Sequence, residues 1–182
     1  MLLHTPVCDF GWKAPDFTLK DPDGKSYTME GSMGEKGLLI AFICNHCPYV
    51  KAIIEQLVTD VNSLSNDGIA TLAVMSNDYH YVAEDSPPAM KEFAAMHNMS
   101  FPYLIDEDQS VGKAYGAVCT PDFFGFNAKG ELQYRGRLDS VGMNDEAADR
   151  IPELLIAMHQ IAKTGIGPES QTPSMGCSIK WF

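Results

Sequence analysis

The sequence predicts an α/β fold with one mixed central sheet, helices on both of its faces and an N-terminal β-hairpin. The continuous apolar run at residues 38–43 has the length of a strand and is typical of one covered on both faces, and residues 69–75 predict a second buried strand. Between them, apolar residues recur at the helical interval over residues 50–64. A strand, a helix and a second strand in this order imply parallel pairing, and a later pair of short strands adds an antiparallel edge.

The other elements follow from turn, cap and proline signals. A turn at residues 21–24 joins strands at 17–19 and 26–28 into the N-terminal hairpin. We expect the first helix to end at residues 66–68 and a second helix to run from Ser86 through Met96. A short strand at 103–105 and a short helix, capped by Asp108 and ending near Tyr115, come next, followed by strands at 123–126 and 132–137. The last predicted helix lies within 145–163; Pro152 kinks or restarts it, and Gly165 ends it. We expect residues 1–165 to form a single domain and residues 166–182 an extended tail.

The composition bounds the possible partners. The 182 residues carry a net charge of −11 and are 45% hydrophobic, as is ordinary for a globular domain large enough to bury a core. An acidic surface argues against nucleic acid and membrane as general partners, because both need a basic face. No apolar run approaches the roughly 20 residues that span a bilayer, and residues 1–15 lack the pattern of a signal peptide. We therefore expect a cytoplasmic protein.

The most informative motif is a pair of cysteines. The chain has five cysteines, an odd number with irregular spacing, which favours a catalytic or metal role over a disulfide framework. Cys44 and Cys47 form a C-x-x-C at the junction between the strand at 38–43 and the following helix. In a β-α-β setting this spacing indicates a redox pair.

Pro48 decides which of the two cysteines begins the helix. If Cys44 were the N-cap, Pro48 would lie inside the helix, which costs about 3 kcal/mol. If Cys47 is the N-cap, Pro48 becomes the first helical residue, where proline is favoured. Cys47 then faces the free amides and the positive end of the helix dipole, which stabilise a thiolate. His46 and Lys51 add positive charge nearby.

We therefore predict that Cys47 is the attacking thiol and that Cys44, three residues upstream, is the resolving thiol. One alternative is that both cysteines pack as small apolar residues, because free cysteines are often buried. Another is a metal site, since Cys44, His46 and Cys47 are soft ligands for copper(I) or zinc. His46 either lowers the pKa of the thiol or is a solvated loop residue, and the sequence leaves this open.

Four segments together resemble the thioredoxin superfamily, and within it the peroxiredoxin-like branch of alkyl hydroperoxide reductases and thiol-specific antioxidant proteins. They are A-P-D-F-T-L with D-G-K (14–19 and 23–25), Cys47-Pro48 after a strand, V-C-T-P-D-F-F (118–124) and G-C-S-I-K-W (176–181), the last similar to the tail of a redoxin subgroup with a C-N-H-C-P segment. The resemblance implies a thioredoxin-like three-layer fold. It also implies that Cys47 is the peroxidatic cysteine and that a cis peptide bond at Pro121 brings Thr120 against it.

Three positions depart from the resembled families. Cys44 stands where peroxiredoxins carry a threonine whose hydroxyl helps activate peroxide, and Ile40 stands where they carry a proline. Val50 stands where thioredoxins carry their second cysteine. The missing threonine favours disulfide exchange, whereas Cys47-Pro48 and the N-terminal hairpin favour a peroxidase.

Several residues are secondary candidates. Cys177 is an alternative resolving thiol if the tail is mobile, and otherwise belongs to a tail docked by apolar anchors. Cys119 is another possible resolving thiol, although a packed cysteine is the better interpretation. Pro121 is either the cis-proline that the resemblance implies or an ordinary turn proline. Arg135 and Arg137 alternate on a strand and are interpreted as exposed edge charges, with orientation of a substrate as the alternative.

These observations predict an enzyme, a thiol-dependent oxidoreductase. Cys47 attacks a peroxide oxygen or a disulfide sulfur, Cys44 resolves the product as a disulfide, and a thioredoxin-like donor reduces the protein. No bound cofactor or metal is needed. The alternatives are a thiol/disulfide reductase or oxidase without peroxidase activity, a copper- or zinc-binding protein that uses Cys44, His46 and Cys47, and a redox-inactive binding module.

Overall fold

A computed structural model describes residues 1–144 and 149–182. Within these ranges the chain forms ten strands and four α-helices. In chain order they are β1 (Leu2–His4), β2 (Thr18–Lys20), β3 (Ser26–Thr28), β4 (Gly37–Phe42), α1 (Pro48–Asn66), β5 (Ile69–Met75), α2 (Pro87–Met96), β6 (Tyr103–Ile105), α3 (Ser110–Tyr115), β7 (Cys119–Thr120), β8 (Asp122–Asn127), β9 (Leu132–Tyr134), α4 (Glu153–Thr164) and β10 (Met175–Ser178).

A seven-stranded mixed sheet in the order β3-β2-β6-β5-β4-β8-β9 forms the centre of the molecule. Strands β4, β5 and β6 are parallel neighbours, whereas β8 pairs antiparallel with β4, and β9 with β8. Every residue of β4 is buried, because this strand lies inside the sheet and is covered on both faces. The predicted mixed sheet and the N-terminal hairpin of β2 and β3 are confirmed.

The two faces of the sheet carry separate apolar cores. Leu39 and Ala41 pack in the core that includes the buried faces of α1, α2 and α4. Leu38 and Ile40, which alternate with them, point to the opposite core, which is closed by α3 and by apolar residues of the N-terminal segment. The carboxyl ends of β4 and β5 therefore open at one edge of a sheet that is covered on both sides, and the C-x-x-C follows β4 there. Among the described residues, no helix is both long and apolar enough to cross a bilayer.

A second, three-stranded sheet in the order β1-β10-β7 was not predicted from the sequence. The central strand β10 belongs to the segment 166–182, and it pairs antiparallel with β1 on one side and β7 on the other. Ile179, just after β10, is buried in the core beneath α3. Of the two states considered for the tail, the structure has the docked one.

Several predicted boundaries differ from the structure. The last helix begins at Glu153 with Pro152 as its N-cap, because proline is tolerated only at the start of a helix; the part of the prediction at 145–148 lies outside the described residues. The strand predicted at 132–137 ends at Tyr134. The N-cap of α3 is Gln109, in the left-handed region, while the carboxylate of Asp108 accepts a hydrogen bond from the Ser110 amide.

Candidate active site

The C-x-x-C lies at the turn that joins β4 to α1. Cys47 is the N-cap of α1, with an extended backbone, and Pro48 is the first helical residue. The register argued from the position of the proline is therefore confirmed. The Cys47 carbonyl accepts the first hydrogen bond of the helix, from Lys51 at 3.0 Å. This placement directs free amides of the helix N-terminus toward the Cys47 thiol.

Thr120 brings the cis-proline strand against both cysteines. Its hydroxyl oxygen lies 3.2 Å from Cys44 Sγ, and its carbonyl oxygen lies 3.2 Å from Cys47 Sγ. The peptide bond between Thr120 and Pro121 is cis, as the resemblance implied. Both sulfurs are shielded from solvent, since Cys44 is 1% and Cys47 is 0% exposed. The two cysteines are thus buried, as the alternative of apolar packing expected. Their thiols also contact polar groups, and these contacts change the thiol pKa values.

The two thiols have opposite pKa shifts. The pKa of Cys47 is lowered from the 9.0 of a free thiol, chiefly because the Cys44 thiol donates a hydrogen bond to it. Burial acts in the opposite direction, while the Thr120 hydroxyl and the Val50 amide reinforce the lowering. The pKa of Cys44 is raised by its interaction with Cys47 and by burial. These opposite shifts favour the thiolate form at Cys47 and the protonated form at Cys44.

Cys177 is a third thiol at the same site. It lies on β10, directly opposite Thr120 in the register of β10 and β7. It packs against the core that contains Cys44 and Cys47, and its thiol hydrogen-bonds with Cys47. Unlike the other two thiols, Cys177 is only partly buried. The structure therefore brings Cys44, Cys47 and Cys177 together.

Asp85, which was not predicted from the sequence, organises the turn between the two cysteines. One carboxylate oxygen accepts hydrogen bonds from the backbone amides of Asn45 and His46, at 2.8 and 3.1 Å. The other lies 2.6 Å from His46 Nδ1 and accepts a bond from the Asn77 side chain at 2.9 Å. The hydrogen bond with Asp85 raises the pKa of His46. His46 is thus an ion-pair partner rather than a solvated loop residue.

Asn77 extends this network to the C-terminal segment. Its side-chain oxygen accepts a hydrogen bond from the Lys180 amide at 2.8 Å. Asn77 follows β5, and the parallel strands β4 and β5 end at the same edge of the sheet. Polar residues directly after β5 were therefore a usable signal for the site. Asp85 offered no comparable signal, because it lies in a loop about 40 residues from the motif.

The remaining candidates lie outside this cluster. Cys119 is fully buried, its thiol lies 3.8 Å from the Pro121 carbonyl, and burial raises its pKa to about 12. These are the surroundings of a packed cysteine. Arg135 is not an exposed edge charge, so that interpretation was wrong: its guanidinium pairs with Asp122 at 2.9 Å and covers the ring of Phe124.

Among residues 1–144 and 149–182, Cys44, His46 and Asp85 are the best placed to hold a metal, because one ligand atom of each lies within 4.8 Å of the others. The predicted set contained Cys47 in place of Asp85. Both oxygens of Asp85 already accept hydrogen bonds from the turn and from Asn77, so the carboxylate is used structurally.

A cavity of about 440 Å³ lies beside the cluster, lined in part by Tyr49 and Pro121.

Comparisons with known proteins agree with this site. Alkyl hydroperoxide reductase E of Mycobacterium tuberculosis is 29% identical to this chain over 133 residues, which cover 71% of this chain and 76% of that protein. A thiol-disulfide oxidoreductase named ResA from Halalkalibacterium halodurans is 24% identical over 145 residues, which cover 80% of this chain and 76% of that protein. Both predicted thiol chemistries are therefore represented among the relatives, whereas metal binding gains no support.

Two solved structures have folds similar to that of this chain. An uncharacterized conserved protein from Geobacillus kaustophilus is 38% identical, with a TM-score of 0.94, over 100% of this chain and 97% of that one. The thioredoxin domain of a thiol-disulfide oxidoreductase from Bacteroides vulgatus matches with a TM-score of 0.62 at 17% identity, over 78% of this chain and 95% of that one. The predicted thioredoxin-like fold and the oxidoreductase class are confirmed. The AhpC/TSA family model matches residues 10–135, which are most of this chain, and the chain therefore belongs to the AhpC/TSA family.

Proposed function

We propose that this chain reduces small hydroperoxides through Cys47, with Cys44 as the resolving thiol. The observation that carries the proposal is the pairing of a lowered Cys47 pKa at a helix N-terminus with a protonated thiol beside it. The thiolate is the nucleophile in this chemistry, and Cys44 supplies the second sulfur. Burial of both sulfurs favours a small substrate, because a protein disulfide does not reach a fully enclosed atom.

The steps follow from these positions. The Cys47 thiolate attacks one peroxide oxygen, the O–O bond breaks, and the alcohol or water formed leaves with a proton. Cys47 is then a sulfenic acid. The Cys44 sulfur attacks the Cys47 sulfur, a disulfide forms, and the hydroxyl group leaves as water. A thioredoxin-like dithiol donor reduces the disulfide and is itself oxidised.

Thr120 compensates for one departure from the family pattern. Cys44 occupies the sequence position at which the resembled peroxiredoxins carry a threonine, but a hydroxyl group, that of Thr120 in β7, still lies beside the two sulfurs. It contacts Cys44 Sγ at 3.2 Å and also hydrogen-bonds with Cys47. A hydroxyl donor is therefore available to a peroxide at Cys47.

The test is a stopped-flow reaction of the reduced protein with stoichiometric hydrogen peroxide, followed by mass-spectrometric mapping. We expect the wild type to lose thiols about ten- to a hundredfold faster than free cysteine, because Cys47 is a thiolate at neutral pH whereas a free thiol is only a few per cent ionised. Cys47→Ser abolishes the fast phase. Cys44→Ser retains it and accumulates a sulfenic acid on Cys47, which dimedone labels. Cys8→Ser is the control, since Cys8 lies in the other core.

Thiol–disulfide exchange is the second candidate function. The observation that favours it is the cysteine at position 44, which makes Cys44 and Cys47 a C-x-x-C rather than a lone peroxidatic cysteine. The same variants distinguish the two functions. If peroxide reacts no faster than with free cysteine, while a small disulfide is reduced rapidly in a Cys47-dependent manner, exchange is the activity and the peroxidase proposal is wrong.

We propose that the protein acts in the cytoplasm as an antioxidant. One property supports this compartment: the five cysteines are odd in number and irregularly spaced, which is not the pattern of the disulfide framework that extracytoplasmic proteins often carry. Cell fractionation tests it, combined with alkylation of thiols before lysis. Recovery in an extracytoplasmic fraction would contradict the proposal.

A further inference from the structure

Cys177 is held beside Cys47 by backbone pairing. Strand β10 lies between β1 and β7, with Cys177 opposite Leu2 on one side and Thr120 on the other. The carbonyl oxygen of that same Thr120 is the group 3.2 Å from Cys47 Sγ. The neighbouring Gly176 approaches the Thr120 carbonyl so closely that a Cβ on it would lie 1.9 Å from the oxygen. The third thiol is thus already in place when the protein is reduced.

The three thiols differ in their access to solvent. Cys44 and Cys47 are 1% and 0% exposed, so a protein donor has no surface atom of either sulfur to attack. Cys177 is partly exposed and its thiol interacts with that of Cys47. A disulfide between Cys44 and Cys47 is therefore enclosed, whereas a disulfide that includes Cys177 is within reach of a second protein.

We propose that Cys177 is an exit thiol, which carries the disulfide from the buried pair to the surface for reduction by a dithiol protein. The proposal rests on the proposed function, because that function creates the Cys44–Cys47 disulfide. The Cys177 thiolate attacks the Cys47 sulfur, the Cys44–Cys47 bond breaks, and Cys44 leaves as a thiolate. This step exchanges one disulfide for another without net oxidation.

The donor then completes the cycle. Its first thiolate attacks the Cys177 sulfur, the Cys47–Cys177 bond breaks, and Cys47 leaves as the thiolate that begins the next turnover. Its second thiol attacks the mixed disulfide and releases Cys177 as a thiol. Two electrons pass from the donor dithiol to the protein, which regains three reduced cysteines. Cys47 is a good leaving group because its pKa is low.

The surroundings of the three sulfurs favour the first exchange. In the reduced protein, burial and the contact with Cys47 raise the pKa of Cys177. Once Cys47 is in a disulfide its thiolate is gone, and the opposing charge of Lys180 near Cys177 remains. The departing Cys44 sulfur lies 3.2 Å from the Thr120 hydroxyl, which donates a hydrogen bond to the new thiolate. The interaction with Cys47 that keeps Cys44 protonated is absent while Cys47 is bonded to Cys177.

The test traps the donor on the oxidised protein. Wild type and the Cys177→Ser and Cys8→Ser variants are oxidised with one equivalent of peroxide and mixed with a thioredoxin in which the second active-site cysteine is replaced by serine. We expect a mixed disulfide between this donor and Cys177 in the wild type and in Cys8→Ser, located by peptide mass spectrometry. With intact thioredoxin, the oxidised Cys177→Ser variant is reduced at least about tenfold more slowly than Cys8→Ser.

The outcomes separate the exit thiol from the proposed function. A donor trapped on Cys44 or Cys47, or equal reduction rates for Cys177→Ser and Cys8→Ser, would overturn the exit-thiol proposal while leaving the peroxidase intact. Failure of the wild type to form a disulfide among Cys44, Cys47 and Cys177 would instead refute the proposed function. Formation of the Cys44–Cys47 disulfide in Cys177→Ser shows that this variant is folded, and its slow reduction then supports the proposal.

Discussion

At Cys47, small polar contacts decide the chemistry of a sulfur that has no exposed surface. The free amides at the start of α1, the Cys44 thiol and the Thr120 hydroxyl favour the thiolate, and burial opposes them. One turn away, Asp85 fixes the backbone between the two cysteines and pairs with His46. Asp85 holds the turn that leads into Cys47, so we expect it to act on the thiol as a positioning residue.

Replacement of this carboxylate tests its role. In Asp85→Asn we expect the pKa of His46 to fall, because the hydrogen bond with Asp85 is what raises it above 6.5. We also expect the rate of peroxide oxidation at pH 7 to fall about three- to tenfold and the free energy of unfolding to fall by about 1–3 kcal/mol, since buried donors lose an acceptor. Histidine NMR titration and stopped-flow kinetics measure the first two effects.

Asp67→Asn is the matched control, because Asp67 makes an ion pair of the same 2.6 Å length with His159 at a more exposed site. In the wild type, the His46–Asp85 pair adds stability below the unfolded-state pKa of His46, and this contribution is lost as the pH rises through its higher folded-state value. An unchanged pKa of His46 in Asp85→Asn would refute this account.

At the scale of secondary-structure elements, β10 and α1 meet at the site although they are far apart in the sequence. α1 supplies the N-terminus that holds Cys47, and β10 supplies Cys177 through its pairing with β7. Gly176 allows this pairing, because any side chain there would collide with the backbone of Thr120. The position of Cys177 thus depends on the close approach of β10 to β7, which only a glycine at position 176 permits.

Gly176→Ala should push β10 away from β7. The added methyl group meets a backbone oxygen, which has little freedom to move, so the strand itself must shift. We expect the amides of Ser178 and Ile179, which bond to Met1 and Val118, to lose at least about tenfold of their protection in hydrogen exchange. Met175→Ala, in the same strand at a more exposed position, is the control. Equal protection in the two variants would contradict this prediction.

How far the sequence predicts the site depends on whether each feature is local. Cys47 is correctly placed at the N-cap because proline sterics and helical periodicity act within a few residues. The contacts of Asp85 and the pairing of Cys177 with Thr120 depend on how distant segments meet, and no local pattern encodes that register. The strands β4 and β5 are predicted nearly to the residue, and the short strands β3 and β6 match their predicted bounds, whereas β1 and β7, which pair only with β10, are missed.

At the scale of the whole molecule, buried ion pairs join the helices that cover the sheet. Arg150 lies 2.5 Å from Asp60 in α1 and 2.7 Å from Asp139, and both carboxylates are almost fully buried. These contacts connect α1, the helix capped by Cys47, to the segment that leads into α4. Removal of the guanidinium would leave two buried charges without their partner.

We therefore expect Arg150→Ala to lower the free energy of unfolding by about 3–5 kcal/mol, because an unpaired buried carboxylate is costly. Denaturant-induced unfolding, monitored by circular dichroism, measures this loss. Lys163→Ala changes an exposed cation near the end of α4 and should alter stability by no more than about 0.5 kcal/mol. Similar losses in both variants would show that the network does not stabilise the fold.

The small sheet that joins β1, β10 and β7 also imposes an order of events during synthesis. Strands from residues 2–4 and 119–120 emerge from the ribosome well before residues 175–178, which must be present for the sheet to close. Domains fold from the N-terminus as the chain is made. A nascent chain therefore carries Cys44 and Cys47 before it has Cys177 beside them, so Cys177 takes no part in any oxidation of the pair during that interval.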